Sequence, residues 1–310
     1  MLTRVKEIIV QSLDDNGQVA IIAAVVIMAL LASLSLVMDV GMIYQARRQA
    51  QTAADAGALA AAERLAEGES IGDALQAASQ YSQRNGISSA PVLEFPDAIS
   101  VTVKIVTVKK TAVARVFGRS EVTIGASATA SWKAASGVVG LAPFAVPRFR
   151  VSEHVGVANT GVFELGDDRP LSSGGATDVS QQGYFWLVNF DDGSGGVPDY
   201  RDWIVNGYPY EISVGDILNG TGVKSTLRGA LDERMQAKPE IIVPVYESTT
   251  DSGSKGTYQV SGFAEFHVAS FSLTGNPKSV TGYFTNGRVA VGSSTGTADD
   301  FGVKVVWLSD

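Results

Sequence analysis

The sequence predicts an α+β protein. A membrane-spanning N-terminal helix continues into a helix-and-sheet module, and a β-rich domain with one helix follows. Three observations predict this. Residues 19–38 are twenty uncharged residues in a row, of which only Ser33 and Ser35 are polar. The chain is then rich in alanine and free of proline as far as Ala66. Beyond that, apolar and polar residues alternate in short runs between turns, with 33 glycines in 310 residues.

Residues 1–16 place Leu2, Val5, Ile8 or Ile9 and Leu13 at helical spacing, with Arg4 and Lys6 between them. This fits an amphipathic segment on the cytoplasmic membrane face. At about 1.5 Å per residue, residues 19–38 match the roughly 30 Å hydrocarbon core of a bilayer. Each serine can bond back to a carbonyl one turn earlier, so neither is costly in lipid. The competing reading is a cleaved signal peptide, whose apolar core runs to about 15 residues and ends in a small-x-small site. This run is longer and ends Leu36, Val37, Met38, Asp39, a poor site, so a retained anchor in membrane lipid is expected. Arg4 and Lys6 before the span and Arg47 and Arg48 after it do not fix orientation. About 270 residues follow the span, which favours a cytoplasmic N-terminus and an extracytoplasmic, cell-surface bulk.

The helix is expected to continue past the membrane, because Ala53, Ala54, Ala56, Ala58, Ala60, Ala61 and Ala62 have the highest helix propensity. Gly41 and Gly57 lower local stability without ending it, and Gly68 caps it. Ser70, with Asp73 three residues on, starts a second helix that carries Ala74, Ala77, Ala78 and Tyr81 on one face and closes at Asn85 and Gly86. Ile99, Val101, Val103 and Ile105 alternate with polar residues as a half-buried strand. Ala112, Val113, Val116 and Phe117 follow at helical spacing, and residues 122–132 alternate again. The alanine-rich surface suits packing on this sheet or on the same helix of another subunit. A long helix half in the membrane, packed on a small sheet, is pilin-like architecture.

Residues 134–147 are small, contain glycine and close with Pro143 and Pro147, which reads as a linker or domain edge. Residues 184–190 form an apolar run and residues 191–199 an acidic loop. Residues 223–236 are the one convincing helix of this part. Strands are expected at 241–247, 257–269 and 279–285. Asn286 and Gly287 then suggest a hairpin turn into 288–292, with 302–308 ending the sheet. The expected division is therefore 1–16, a span over 17–38, a helix-and-sheet module over 39–137, and a β-rich domain over 138–310.

Net charge is −8, unevenly spread: 5 basic and 9 acidic residues in 1–83, 9 and 3 in 84–150, 10 and 20 in 151–310. An acidic outer half repels phosphates, which argues against nucleic-acid binding. A basic middle can face the acidic end of a neighbouring copy. The chain has no cysteine, hence no disulfide and no thiolate site.

Patterns that invite an enzyme reading fail. The segment Gly292, Ser293, Ser294, Thr295, Gly296 matches Gly-x-Ser-x-Gly, but no histidine follows it. The segment from Ser252 to Lys255 matches Ser-x-x-Lys, but Gly253 and Gly256 argue for a loop. His154 and His267 do not make a zinc site. Asp191, Asp192 and Asp199 fit no calcium-loop spacing. No catalytic residue, cofactor, metal or small-molecule substrate is expected.

Gly17, the span, Asp39, Tyr44, Arg47, Arg48, Gln51 and then residues 53–62 resemble the N-terminal signature of the Tad family, the TadE/TadG-like proteins of Flp (tight-adherence) pilus assembly. Residues 113–118 and 122–130 are similar to the family's second half. The resemblance implies a single-pass, non-enzymatic envelope protein that works with other Tad components and helps build or anchor a surface appendage. It makes Gly17 a candidate processing point, although Ile22 stands where processed substrates carry glutamate. The metal-binding Asp-x-Ser-x-Ser of larger members is not completed at Asp178, Ser180 and Gln182. Asp39, Tyr44, Arg47, Arg48, Gln51 and Asp55 are the candidate assembly contacts. Asp39 would mark the membrane edge or pair with an arginine of a neighbouring helix, and Gln51 and Asp55, one turn apart, would bond each other or a partner. Two other readings are a tethered surface-binding or adhesion module and a self-associating filament subunit.

Overall fold

In the computed structural model the described residues are 2–111, 120–148, 151, 161–165, 186–191, 196–222, 225–249, 256–274, 278–285, 287–295 and 298–309. The expected short helix at 112–117, His154, Asp192, the Ser252–Lys255 stretch and the Asp178–Gln182 stretch lie outside them. The class is α+β. The chain forms two compact units: Met1–Ala58, Ala78–Glu94 and Thr102–Ala128 make one, and Leu59–Ala77, Phe95–Val101 and Thr129–Asp310 the other.

Helix α1 (Leu2–Ala66) is unbroken over 65 residues and passes straight through Gly17. Ser33 Oγ donates to Ala29 O and Ser35 Oγ to Leu31 O, both at 2.8 Å, so the two polar groups of the apolar run are satisfied within their own helix. α1 stops where Gly68 takes φ +80°: Gly68 N–H donates to Leu65 O and Glu69 N–H to Arg64 O. Only glycine adopts that conformation without strain.

Helix α2 (Ile71–Arg84) starts at Ser70. Asp73 N–H donates to Ser70 Oγ at 3.2 Å, while Asp73 Oδ2 accepts from Ser70 N–H at 3.2 Å and from Ser70 Oγ at 2.6 Å. This reciprocal cap satisfies two helix-end donors. The bonds from Ser70 hold the Asp73 carboxyl below its ordinary value. A depressed carboxylate stabilises the folded form above the ordinary aspartate range, about pH 4, and loses that contribution as pH falls below it. Loss of the cap hydroxyl in Ser70→Ala is expected to cost about 1 kcal/mol in urea unfolding at neutral pH. The cost should shrink in acid.

In the first unit, β1 (Val92–Glu94) pairs antiparallel with β2 (Ser100–Lys110), which lies beside β3 (Glu121–Ala134). Ala50, Ala53, Ala54 and Ala58 of α1, Ala78 and Ser82 of α2, and Val103 and Ile105 of β2 are all fully buried. A core of such small groups is possible because the backbones approach closely. A Cβ added at Gly57 would meet Ser82 Oγ at 3.2 Å, Ala78 O at 3.4 Å and Val103 Cγ1 at 3.4 Å.

In the second unit, residues 129–134 of β3 pair antiparallel with β15 (Val303–Ser309), which pairs in parallel with β13 (Arg288–Val289). β4 (Gly137–Val138) lies between β8 (Ile212–Ser213) and β14 (Gly292–Ser293). A seven-stranded sheet runs β10 (Glu240–Thr249), β5 (Phe144–Pro147), β7 (Trp186–Asn189), β9 (Ile217–Thr221), β11 (Thr257–Ser272), β12 (Lys278–Thr285), β6 (Gly161–Leu165). β10 also pairs with β11, so the first five of these strands close into a ring that leaves them no open edge. Tyr258, Phe263 and Phe266 of β11 are the bulkiest buried groups there. Each contributes about 1.5–3 kcal/mol by burial.

Four expectations are corrected. Residues 134–147 are not a linker: Leu141, Phe144, Ala145 and Val146 are buried, and β5 is an internal strand between β10 and β7. Asn286 lies outside the described residues, and the strand expected to turn back after it does not: β13 joins β15 in another sheet, with Gly287 at φ +92° just ahead of it. The final strand ends a different sheet from the one expected, beside β3. The acidic loop contains the start of a second helix, α3 (Val197–Asn206), ahead of the expected one, α4 (Arg228–Ala237). Pro198 occupies the first turn of α3, and Asp199 Oδ2 accepts from Gly196 N–H at 2.6 Å.

Candidate functional site

The candidate assembly residues all lie on α1, within the first unit. At about 100° per residue, Tyr44, Arg47, Arg48, Gln51 and Asp55 fall within one arc of the helix, and Asp39 falls on the opposite side with Ala46, Ala50 and Ala53. Burial follows this division. Tyr44 is 69% exposed, and Arg47, Arg48 and Gln51 are exposed, while Asp39 is 3% exposed between Met38 and Val40 at 61% and 60%. Asp39 is engaged in a polar contact.

Gln51 ties the helix to the sheet. Its Nε2 donates to Asp55 Oδ1 at 2.8 Å and to Ser127 O of β3 at 3.1 Å. The bond expected between Gln51 and Asp55 forms, and the amide serves the protein's own sheet as well. Arg47 and Gln51 form one wall of an open groove of about 360 Å³, whose other wall is Lys104, Ile105 and Val106 of β2 with Gly125 and Ala126 of β3. Lys104 Nζ sits 2.6 Å from Glu94 Oε1. The groove therefore presents Arg47 and a partly neutralised lysine to solvent.

Two contacts escaped the sequence reading. Gln49 Nε2 donates to Asn85 O at 3.0 Å, which fastens the end of α2 to α1. At Gly57, α1 comes close to both α2 and β2. A lone glycine inside an alanine run was the available signal, since such a glycine costs about 1 kcal/mol and needs a packing reason.

In the second unit the patterns set aside as non-catalytic have structural partners. Ser294, the serine of the Gly-x-Ser-x-Gly pattern, directly follows strand β14 instead of standing at a strand-to-helix turn, and its neighbour Ser293 donates Oγ–H to Glu211 Oε1 at 3.0 Å. His267 Nδ1 is 3.1 Å from Glu240 Oε1, and its ring stacks on Tyr283 with centroids 4.7 Å apart. Burial pushes the Glu240 carboxyl up, but its own backbone N–H and the His267 ring outweigh this and hold it below its ordinary value. Asp191 Oδ1 accepts from Tyr208 Oη at 2.9 Å. Among the described residues no group of three or more His, Asp or Glu is placed to hold a metal.

Among the described residues one helix is long and apolar enough to cross a membrane, and none of its most apolar stretch is buried. Val19, Leu30 and Val37 are 64%, 64% and 68% exposed. Uncovered apolar surface on that scale is foreign to a water-facing helix.

Residues 17–64 match the model of the Tad family, described as "Putative Flp pilus-assembly TadE/G-like". The match covers the span and the alanine-rich stem, and includes every candidate contact from Gly17 to Asp55. That family is one of pilus-assembly proteins and not of enzymes. No curated protein and no solved structure matches the chain.

Proposed function

We propose that this chain is a non-enzymatic, membrane-anchored component of Tad/Flp pilus assembly. Residues 19–38 hold it in the bilayer, its N-terminus is cytoplasmic, and the sheet-rich remainder is extracytoplasmic. The single observation that carries this reading is the family match over residues 17–64, which coincides with an uncovered apolar helix. The exposed arc of Tyr44, Arg47 and Arg48 is the surface offered to other Tad components or to a second copy. A stem whose sheet-facing side is alanine suits this role, because it stays slim where helices crowd above a membrane.

Membrane retention tests the reading. The protein is expected to pellet with membranes and to resist alkaline extraction. Val26→Arg combined with Leu30→Arg adds about 5–7 kcal/mol to the cost of insertion and should release the chain. Wild-type chain in the soluble fraction would end the anchor reading. Intact mass from membranes decides whether residues 1–17 are retained. Protease added to intact cells should remove the sheet-rich part, and survival of that part until lysis would reverse the topology.

A further inference from the structure

β2 and β3 run on past the sheet that holds them. β1 pairs with β2 only at Thr102, Val103 and Lys104, yet β2 continues to Lys110. The two strands still face each other at their far end, where Thr111 N–H donates to Ser120 O at 3.0 Å. On this extension Val106 and Val108 are 53% and 52% exposed, and Lys110 and Glu121 are exposed. Lys109 is half-buried. Exposed β-branched residues beside lysines, unpaired along one edge, form a surface that nothing among the described residues covers.

Contacts inside the first unit fix which way the extension points. Gly57 of α1 lies against Val103. Further down the helix, Arg47 and Gln51 share a groove with Ile105 and Val106, and Gln51 bonds Ser127. Descending α1 toward the apolar span therefore means ascending β2 toward Lys110. Asp39 lies 8 residues below Arg47 and Lys110 lies 4 residues beyond Val106. These are drops of about 12 Å along a helix and about 13 Å along a strand. Lys110 thus comes level with Asp39, where the span ends. The burial of Asp39, at 3% between two residues near 60%, agrees that α1 is still covered on one side at that level. A headgroup layer about 5–8 Å thick per leaflet takes in Lys110, Lys109 and Val108.

We propose that the adjoining ends of strands β2 and β3 rest on the bilayer as a second membrane contact, with Val108 in the interface and Lys109 and Lys110 against anionic lipid headgroups. Glu121 opposes them, so the described end carries one net positive charge within a region of 9 basic and 3 acidic residues. The proposal rests on residues 19–38 spanning the bilayer, and adds that the stem is braced at its base and held at one tilt.

The chain has no cysteine, so a single introduced cysteine takes a fluorophore cleanly. The full chain is reconstituted into phosphatidylcholine vesicles with and without phosphatidylglycerol; quenching by headgroup-level spin-labelled lipid is read at Val108→Cys and Val92→Cys, and quenching by acyl-chain spin-labelled lipid at Val26→Cys. Val26 reports the span, and Val92, 58% exposed and paired with Lys104, is the site away from lipid. Quenching is expected at residue 108 and not at 92, and stronger with phosphatidylglycerol. Lys109→Gln with Lys110→Gln should weaken the contact about fivefold per lysine in anionic vesicles and leave neutral vesicles unchanged. An unquenched residue 108 beside a lipid-accessible residue 26 overturns the strand-end contact while the anchor stands. An inaccessible residue 26 overturns both. Equal quenching in both lipids, insensitive to the lysine pair, overturns the anionic-headgroup assignment.

Discussion

Gly207→Val is expected to lower the unfolding free energy by about 4 kcal/mol or more. Two independent costs meet at this residue. Gly207 ends α3 with φ +83° and ψ +155°, a region that side chains avoid. Its added Cβ would also lie 2.5 Å from Gly140 O, a backbone atom that cannot step aside. The crossing is tight because main chain bonds main chain there: Gly140 N–H donates to Tyr208 O, and Tyr208 N–H to Leu141 O, both at 2.8 Å. It also seats Tyr208 against Phe190 and Trp203, with ring centroids 4.8 Å and 5.2 Å away. Gly215→Val separates the two costs, since Gly215 has φ +98° with nothing within 4 Å. That variant should lose only about 1–2 kcal/mol, the backbone strain alone. Urea midpoints at constant m-value measure both. Similar losses at the two positions would show that the crossing at Gly140 is not close-packed.

Gly57→Leu is the second large effect, with an expected cost of about 3 kcal/mol or more, paired with a near-neutral Gly57→Ala. Alanine gains about 1 kcal/mol of helix propensity and spends much of it on a Cβ 3.2 Å from Ser82 Oγ. Leucine adds three further carbons between α1, α2 and β2, where Ala53, Ala54, Ala78 and Val103 are already fully buried. Interiors at crystal-like density have no room for them, so backbones must part. The consequence is local to the stem. Gln49 and Asn85 should separate, and α2 should become the first site of proteolysis on intact membranes. Retention in the membrane should be unchanged, because residues 19–38 are untouched. An equally mild result for leucine would mean that the helices are not in contact at Gly57.

How much was legible depended on how local each signal was. The span was readable because twenty uncharged residues act through their own hydropathy, whatever the rest of the chain does. Gly68, Ser70 and Asp73 were readable for the same reason, since a cap is a bond among neighbours. The alternation along β2 showed which face was buried from Val101 onward, where Val101, Val103 and Ile105 are buried, but not at its start, where Ile99 is exposed and Ser100 buried. Of the candidate contacts, Tyr44, Arg47 and Arg48 came from the family resemblance, and the turn of the helix puts them on one exposed arc. What Gln51 does with its amide did not, because Ser127 lies 76 residues away.

The sequence alone determined that a single apolar helix would outrun the sheet-rich remainder and continue as an alanine stem, because propensity, hydropathy and capping act over a few residues. The tertiary structure decided that residues 134–147 are interior, that the last strand returns to β3, and that Asp39 is covered. A small-residue segment with two prolines looks the same whether it crosses solvent or slots between β7 and β10. Only strands far away in sequence, supplying the missing hydrogen bonds and the apolar walls, tell the two apart.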